Sequence, residues 1–269
     1  MKIKLAILIT CHNRKKKTLK CLKFLKNQKN VENVEFKIYL TDDNSQDGTK
    51  EEVRKKYTNV EILNGNGNLF WGGGTNLAFK EAQKTNKYDY YIWLNDDTYL
   101  FQNAIRDLLK AKEILKSDAF IAVGSTKNKK NILIYGGKKN YGSYVSPFKS
   151  KIIKPTNNYQ LIDRFNGNIV LISKYAQKKI GFINKNLIHV IGDIEYGLRA
   201  SNLGIPILLC PKFQGMGEND IKKNLLKDYF KGKKLIQSYF FFTKKYGGFF
   251  WILHFLSALL SSFKILKLK

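Results

Sequence analysis

The chain has 269 residues, with 48 Lys and Arg against 21 Asp and Glu, a formal charge of +27 at pH 7. Hydrophobic residues make up 43% and aromatics 13%, enough for a sizeable core, which excludes a disordered chain and fits one large α/β domain or a domain with an appendage. The charge predicts an anionic partner (nucleic acid, an acidic membrane surface or a phosphorylated ligand). Cys11, Cys21 and Cys210 are too sparse for a disulfide framework and fit a reducing cytosol, and without a CxxC or Cys/His cluster zinc is not expected.

Residues 5–9 form a short apolar run followed by basic residues and no small-residue cleavage site, so they read as a first strand and not as a signal peptide. Helical spacing follows over 18–25, a strand over 35–40, a helix over 49–57, a strand over 60–63, a helix over 75–83 and a strand over 90–94. This alternation predicts crossover connections and a mostly parallel sheet, whose ligands bind beyond the carboxyl ends of the strands. Further on, 104–116 reads as an amphipathic helix, 119–123 and 131–135 as strands, and 138–156 as a Gly-, Lys-, Tyr- and Ser-rich mobile loop. A strand at 168–172, a short helix near 173–179, a helix at 193–202 and a strand at 205–209 complete this part.

The predicted strand ends are polar: Thr10-Cys11-His12-Asn13-Arg14, then Asp42-Asp43-Asn44-Ser45-Gln46-Asp47-Gly48, then Asn64 to Asn68 leading to Trp71-Gly72-Gly73-Gly74, then Asn95-Asp96-Asp97-Thr98. Each alone is an ordinary turn sequence. Four in succession converge on one crevice. Neither GxGxxG after the first strand nor GxxxxGK[ST] occurs, which disfavours a standard dinucleotide site and a P-loop.

Carboxylates at a strand end suit a hard divalent cation, so Asp96 and Asp97 read either as metal ligands or as an Asx turn or N-cap before a helix. Asp193 reads as a general base or as a charge favouring its helix dipole. Glu195 can pair with Arg199 at i, i+4. His189 is a ligand candidate or a loop histidine. The triple glycine lets backbone approach a ligand, with helix amides meeting phosphate.

Together with Gly192-Asp193-Ile194-Glu195-Tyr196-Gly197-Leu198-Arg199, these motifs resemble family 2 glycosyltransferases of the GT-A fold over residues 3–217. Leu69 to Gly74, Trp93 to Thr98 and Phe165-Asn166-Gly167-Asn168 are similar to the bacterial rhamnosyl- and galactofuranosyltransferase-like branch of capsule and lipopolysaccharide synthesis. The resemblance implies a Rossmann-like α/β domain with a mostly parallel central sheet and flanking helices over 1–217. It implies an inverting transfer of a sugar from a nucleotide diphosphate sugar to a glycan or lipid-linked acceptor, with Mg²⁺ or Mn²⁺. Thr10, Asn13 and Arg14 would line the nucleotide; Asp42 and Asp43 would face the base; Asn68, Gly73, Gly74 and Asn76 would border nucleotide and donor sugar. Asn95, Asp96 and Asp97 would replace the DxD motif, with Asn95 in place of the first acid, Asp97 the metal ligand and Asp96 its companion. Asp193 would be the base, with Gly192 where the family has Glu. Trp71, Asn166, His189 and Glu195 would border the acceptor. The histidine that some members supply to the metal is missing from residues 213–217.

Residues 218–269 read as a basic, amphipathic helical extension. Residues 222–269 hold eleven lysines and one acid, Asp228. Read as a helix, this extension places His254, Ser257, Ser261 and Lys264 on one face and Phe249, Leu253, Leu256, Leu260 and Phe263 on the other, which suits an anionic membrane surface better than a span; a cap on the core or a dimer contact are the alternatives. The expected location is cytoplasmic, peripheral at the inner face of the cell membrane. A nucleotidyltransferase is the enzymatic alternative, but it would want a Gly-rich basic loop after the first strand. A nucleic-acid-binding module fits the charge, but Asp42-Asp43 and Asp96-Asp97 would repel phosphate without a metal, so no nucleic acid is expected.

Overall fold

In the first strand Leu5, Ala6, Ile7, Leu8 and Ile9 are all buried, the pattern of a strand covered on both faces. A computed structural model describes residues 2–85, 87–141, 149–187, 191–218 and 232–257. The elements in chain order are β1 (Ile3–Cys11), α1 (Lys15–Lys26), β2 (Val34–Asp42), α2 (Thr49–Lys56), β3 (Val60–Asn64), α3 (Phe70–Gln83), β4 (Tyr90–Leu94) and β5 (Thr98–Leu100). Then come α4 (Ala104–Leu115), β6 (Ile121–Lys127), β7 (Leu133–Tyr135), β8 (Gly137–Asn140), β9 (Ser150–Ile152), β10 (Gln160–Ile162) and β11 (Arg164–Phe165). After these follow β12 (Ile169–Ser173), α5 (Lys174–Ile180), α6 (Gly192–Asn202), β13 (Ile207–Gly217) and α7 (Gly232–Tyr246).

The main sheet runs β10-β13-β6-β12-β4-β1-β2-β3. β4, β1, β2 and β3 are parallel, and β12 lies antiparallel between β4 and β6. Alternate residues of β1 and β4 feed two cores. Leu5, Ile7, Ile9, Ile92 and Leu94 meet α1 and α4 through Leu22, Leu25, Ile105 and Leu108. Ala6, Leu8, Tyr91 and Trp93 meet α3, α5 and α6 through Phe79, Ala176 and Tyr196. This is the expected mostly parallel α/β sheet with helices on both faces.

Four expectations need correction. α3 begins at Phe70, five residues early, so the three glycines lie inside the helix and not ahead of it. Gly74 is there for space, because a Cβ would come within 2.3 Å of Thr10 Cγ2. Thr98 opens the short strand β5 on β13, not a helix. Residues 138–156 are not simply a loop: β8 and β9 pair there, and with β11 they form a second, three-stranded sheet. β13 continues past Pro211 to Gly217 with register shifts after Leu209 and Phe213, Lys212 taking φ +57°. Residues 142–148 fall outside the described residues.

α7 returns to the domain. Phe242 packs with Leu187 and Ile191. Among the described residues no helix is long and apolar enough to cross a membrane. A 3-10 turn (Gly248–Phe250) and a helix at 251–257 follow, where Phe249, Ile252, Leu253 and Leu256 are exposed. The expected apolar face continues to Leu260 and Phe263, beyond the described residues.

Candidate active site

The ends of β1, β2 and β4 lie side by side because these strands are in parallel register, Thr10 beside Thr41 and Cys11 beside Asp42. The loops after β1 and β2 are stitched together. Asn13 (φ +51°) donates its backbone N–H to Ser45 Oγ at 2.9 Å and accepts from the Gln46 N–H at 2.7 Å, and the Lys15 N–H donates to Asp47 at 2.8 Å.

Arg14 crosses to the end of β4. Its Nη1 contacts Asp96 Oδ1 at 2.9 Å and Asp97 Oδ2 at 3.1 Å. Asp96 is buried, whereas Asp97 keeps some exposure. Burial raises the Asp96 pKa; the Arg14 charge opposes that rise and the Asp97 charge adds to it. Asn95 turns its side chain inward, with Oδ1 buried.

Asp42 and Asp43 behave differently, although both are buried. Asp43 is spent on the chain: its carboxylate accepts from the N–H groups of Gly67 (2.7 Å), Leu69 (3.0 Å) and Phe70 (3.1 Å). It therefore fixes the entry to α3 and does not face a ligand as expected, and it takes the first amide of that helix, Phe70 N–H. Asp42 Oδ1 accepts from the Ser45 N–H at 2.7 Å, and its buried Oδ2 has no hydrogen-bond partner among the described residues. Asn95 Oδ1 is a second buried acceptor without such a partner among the described residues.

Asp193 opens α6. Its Oδ2 accepts from the Gly167 N–H and its Oδ1 from the Ile194 N–H, both at 2.8 Å. Burial raises its pKa; those backbone hydrogen bonds and the Lys138 charge pull it partly back. Gly167 is tightly enclosed, since a Cβ there would lie 2.4 Å from Trp71 Cζ2 and 3.2 Å from Asp193 Cβ. Trp71 meets Trp93 edge to face at 5.5 Å. One residue on, Asn168 O accepts from the Asn95 N–H at 3.1 Å. Residues 167–168 thus link the Asp193 carboxylate to the turn bearing Asp96 and Asp97.

Three other expected site residues are engaged elsewhere or stand apart. The Asn76 side chain holds both backbone groups of Ile183, donating to its O at 2.7 Å and accepting from its N–H at 3.0 Å. Asn68 is exposed on the loop before α3. Glu195 is fully buried and cannot border an acceptor. It contacts Arg199 Nη2 (2.8 Å), Lys245 Nζ (3.2 Å) and Tyr246 Oη (2.6 Å). The Arg199 pair is the expected one; the partners from α7 come from fifty residues away. His189 lies outside the described residues. Thr10 faces Thr75, their hydroxyls 3.4 Å apart, and Gly73 stays half-buried beside Leu69. Asn166 continues the β8–β11 ladder through its N–H to Gly136 O. Sequence reasoning gave no role to Gly167, which contacts Asp193 through its backbone amide, or to Lys138, which lay in a segment read as loop.

A divalent cation is compatible with the donor set. Asp96 and Asp97 supply hard oxygen atoms, and a positive charge already lies between them in the Arg14 guanidinium. No group of three or more His, Cys, Asp or Glu that could hold a metal occurs among the described residues, so further ligands would come from a bound diphosphate and water.

The family model for glycosyl transferase family 2 matches residues 6–178. No curated protein matches the chain. Among solved structures, TarS 1–349 of S. aureus is similar at TM-score 0.60 and 14% identity, over 90% of this chain and 64% of that one. GalNAc-T7, solved with UDP, GalNAc and Mn²⁺, gives 0.62 at 12% identity over 80% and 44%. The mannosyltransferase PcManGT of Pyrobaculum calidifontis, solved with GDP-Man and Mn²⁺, gives 0.58 at 10% identity over 89% and 64%. The chain thus spans less than two thirds of the length of these structures. They share its fold. With the match running from β1 into α5, this chain belongs to glycosyl transferase family 2.

Proposed function

We propose that this protein transfers a sugar from a nucleoside diphosphate sugar to a hydroxyl of a glycan or lipid-linked acceptor, with inversion at the anomeric carbon. The observation that carries the reading is the link through Gly167 and Asn168, which joins a carboxylate of raised pKa, Asp193, to the carboxylate pair Asp96 and Asp97. Inverting transfer needs a base on one side of the anomeric carbon and charge stabilisation for the leaving diphosphate on the other.

Asp42 Oδ2 accepts an N–H from the base. Arg14 lies where it can meet diphosphate charge. Asp97, with Asp96 beside it, would hold Mg²⁺ or Mn²⁺. When bound, such an ion neutralises charge on the departing diphosphate. Two structural neighbours solved with Mn²⁺ support this choice of ion. Asp193 takes the proton of the attacking hydroxyl. Trp71 borders the acceptor side over Gly167. The motif resemblance supports capsule or lipopolysaccharide synthesis, and the exposed apolar residues after α7 support a place at the inner face of the cell membrane, with 1–217 as the catalytic unit and 218–269 as the basic extension.

The test is thermal unfolding with UDP-, dTDP- and GDP-sugars, each with Mn²⁺ and with EDTA, on wild type and Asp97→Ala. A ligand at a hundred times its dissociation constant stabilises by about 2.7 kcal/mol. The expected result is a metal-dependent rise with one nucleotide that Asp97→Ala loses. Absence of any rise in the wild type overturns the reading.

A further inference from the structure

Lys138 and Arg164 stand opposite each other in the β8–β11 ladder. Residues paired in this way project to the same face. Arg164 is 2% exposed. Its Nε donates to Asn140 Oδ1, while Nη2 is buried without a hydrogen-bond partner. The nearby acid, Asp163, contributes charge to Arg164 but commits its carboxylate to the Asn140 N–H (2.7 Å) and Lys139 Nζ (3.6 Å). The Lys138 ammonium makes no hydrogen bond or ion pair among the described residues. Burial lowers its pKa, the Asp193 charge opposes that and the Arg164 charge adds to it. Half-buried Lys138 therefore lies in the field of Asp193 and buried Arg164 in that of Asp163, and both carboxylates are already held by other partners. Buried charges of one sign call for a counter-charge.

We propose that Lys138 and Arg164 form an anion subsite on the acceptor side of the crevice, taking a phosphate or carboxylate group carried by the acceptor near the hydroxyl that is glycosylated. The proposal rests on the reading of Asp193 as the base, since only then is the neighbouring space the acceptor's. The donor diphosphate has its own partners at Arg14 and Asp97. The subsite selects anionic acceptors, and the charge it binds offsets the repulsion between Lys138 and Arg164.

The experiment is amine acetylation of the full chain, read residue by residue by mass spectrometry, in glycerol 3-phosphate or in glucuronate. Lys139, exposed and paired with Asp163, is the internal reference. An anion at ten times its dissociation constant should slow Lys138 labelling about tenfold and leave Lys139 unchanged. Protection by glycerol 3-phosphate alone assigns a phosphate-bearing acceptor; protection by glucuronate alone assigns an acidic sugar. Lys138→Met should lose the thermal stabilisation given by the protecting anion and keep that given by sugar nucleotides. Equal labelling of Lys138 with and without either anion overturns the subsite. If sugar nucleotides still stabilise the protein in that case, the transferase reading stands. Protection of Lys138 with no sugar-nucleotide binding would instead overturn the transferase reading and leave the anion site.

Discussion

Asp193 gives up water and gains two backbone amides, and burial outweighs them, so its pKa stands above the ordinary aspartate value. A base must be ionised to work. Transfer should therefore rise with pH along a limb displaced above the usual aspartate value of about 3.9. The sign for folding is opposite. A group whose pKa is raised in the folded state contributes stability that is fully present below its unfolded pKa and is lost as pH rises through the folded value. The ionised Asp193 carboxylate is thus held at a cost to the fold. Asp193→Asn should reduce kcat by about 10²–10⁴-fold and spare the sugar-nucleotide thermal shift, which pH–rate profiles beside unfolding curves will show. Asp42, Asp96, Asp97 and Asp193 could be proposed from the sequence because each follows or opens an element whose pattern is local. It misassigned Asn76 and Glu195, whose partners are 107 and 51 residues away. It also set Asp43 against a base, when the amides of 67–70 fold back onto that carboxylate.

At the level of elements, α3 passes so close to the end of β1 that position 74 has no room for a methyl group. Gly74→Ala should destabilise by about 1–3 kcal/mol through overpacking. Thr10→Ala in the same chain should recover part of that, because the nearest obstructing atoms are the Thr10 side-chain tips; a double-mutant cycle by urea unfolding measures the coupling. α6 is tied to α7 through Glu195. Glu195→Gln should lower the unfolding temperature and speed proteolysis in α7, since it weakens a buried acceptor shared by Arg199, Lys245 and Tyr246. Strand β4 was legible to the residue because Tyr90 to Leu94 is an unbroken apolar run between Asp89 and Asn95. β8 and β9 were not, because a small edge sheet of Gly, Lys, Asn and Ser carries no alternation of apolar residues. The far half of β13 was hidden by Pro211 and by Lys212, whose positive φ interrupts the strand pattern.

Across the whole molecule, the charge of +27 and the exposed Phe249, Ile252, Leu253 and Leu256 predict binding to an anionic membrane. Each lysine near an anionic bilayer is worth about 1 kcal/mol, and screening weakens it. The protein should co-sediment with phosphatidylglycerol vesicles and not with phosphatidylcholine vesicles, release as salt rises, and bind less tightly when Phe249 and Leu253 are both changed to Ser. Glu195 also sets an order of events. A chain leaves the ribosome from its N-terminus, so α6 emerges while Lys245 and Tyr246 are still unmade. During that interval the carboxylate two residues past the base has only Arg199, and Leu187 and Ile191 lack the cover that Phe242 later gives. The strand ends proposed to receive the nucleotide are synthesised well before this. A product that stops short of α7 would retain its pocket for the donor and lack support for the base, and so would sequester sugar nucleotide without turning it over.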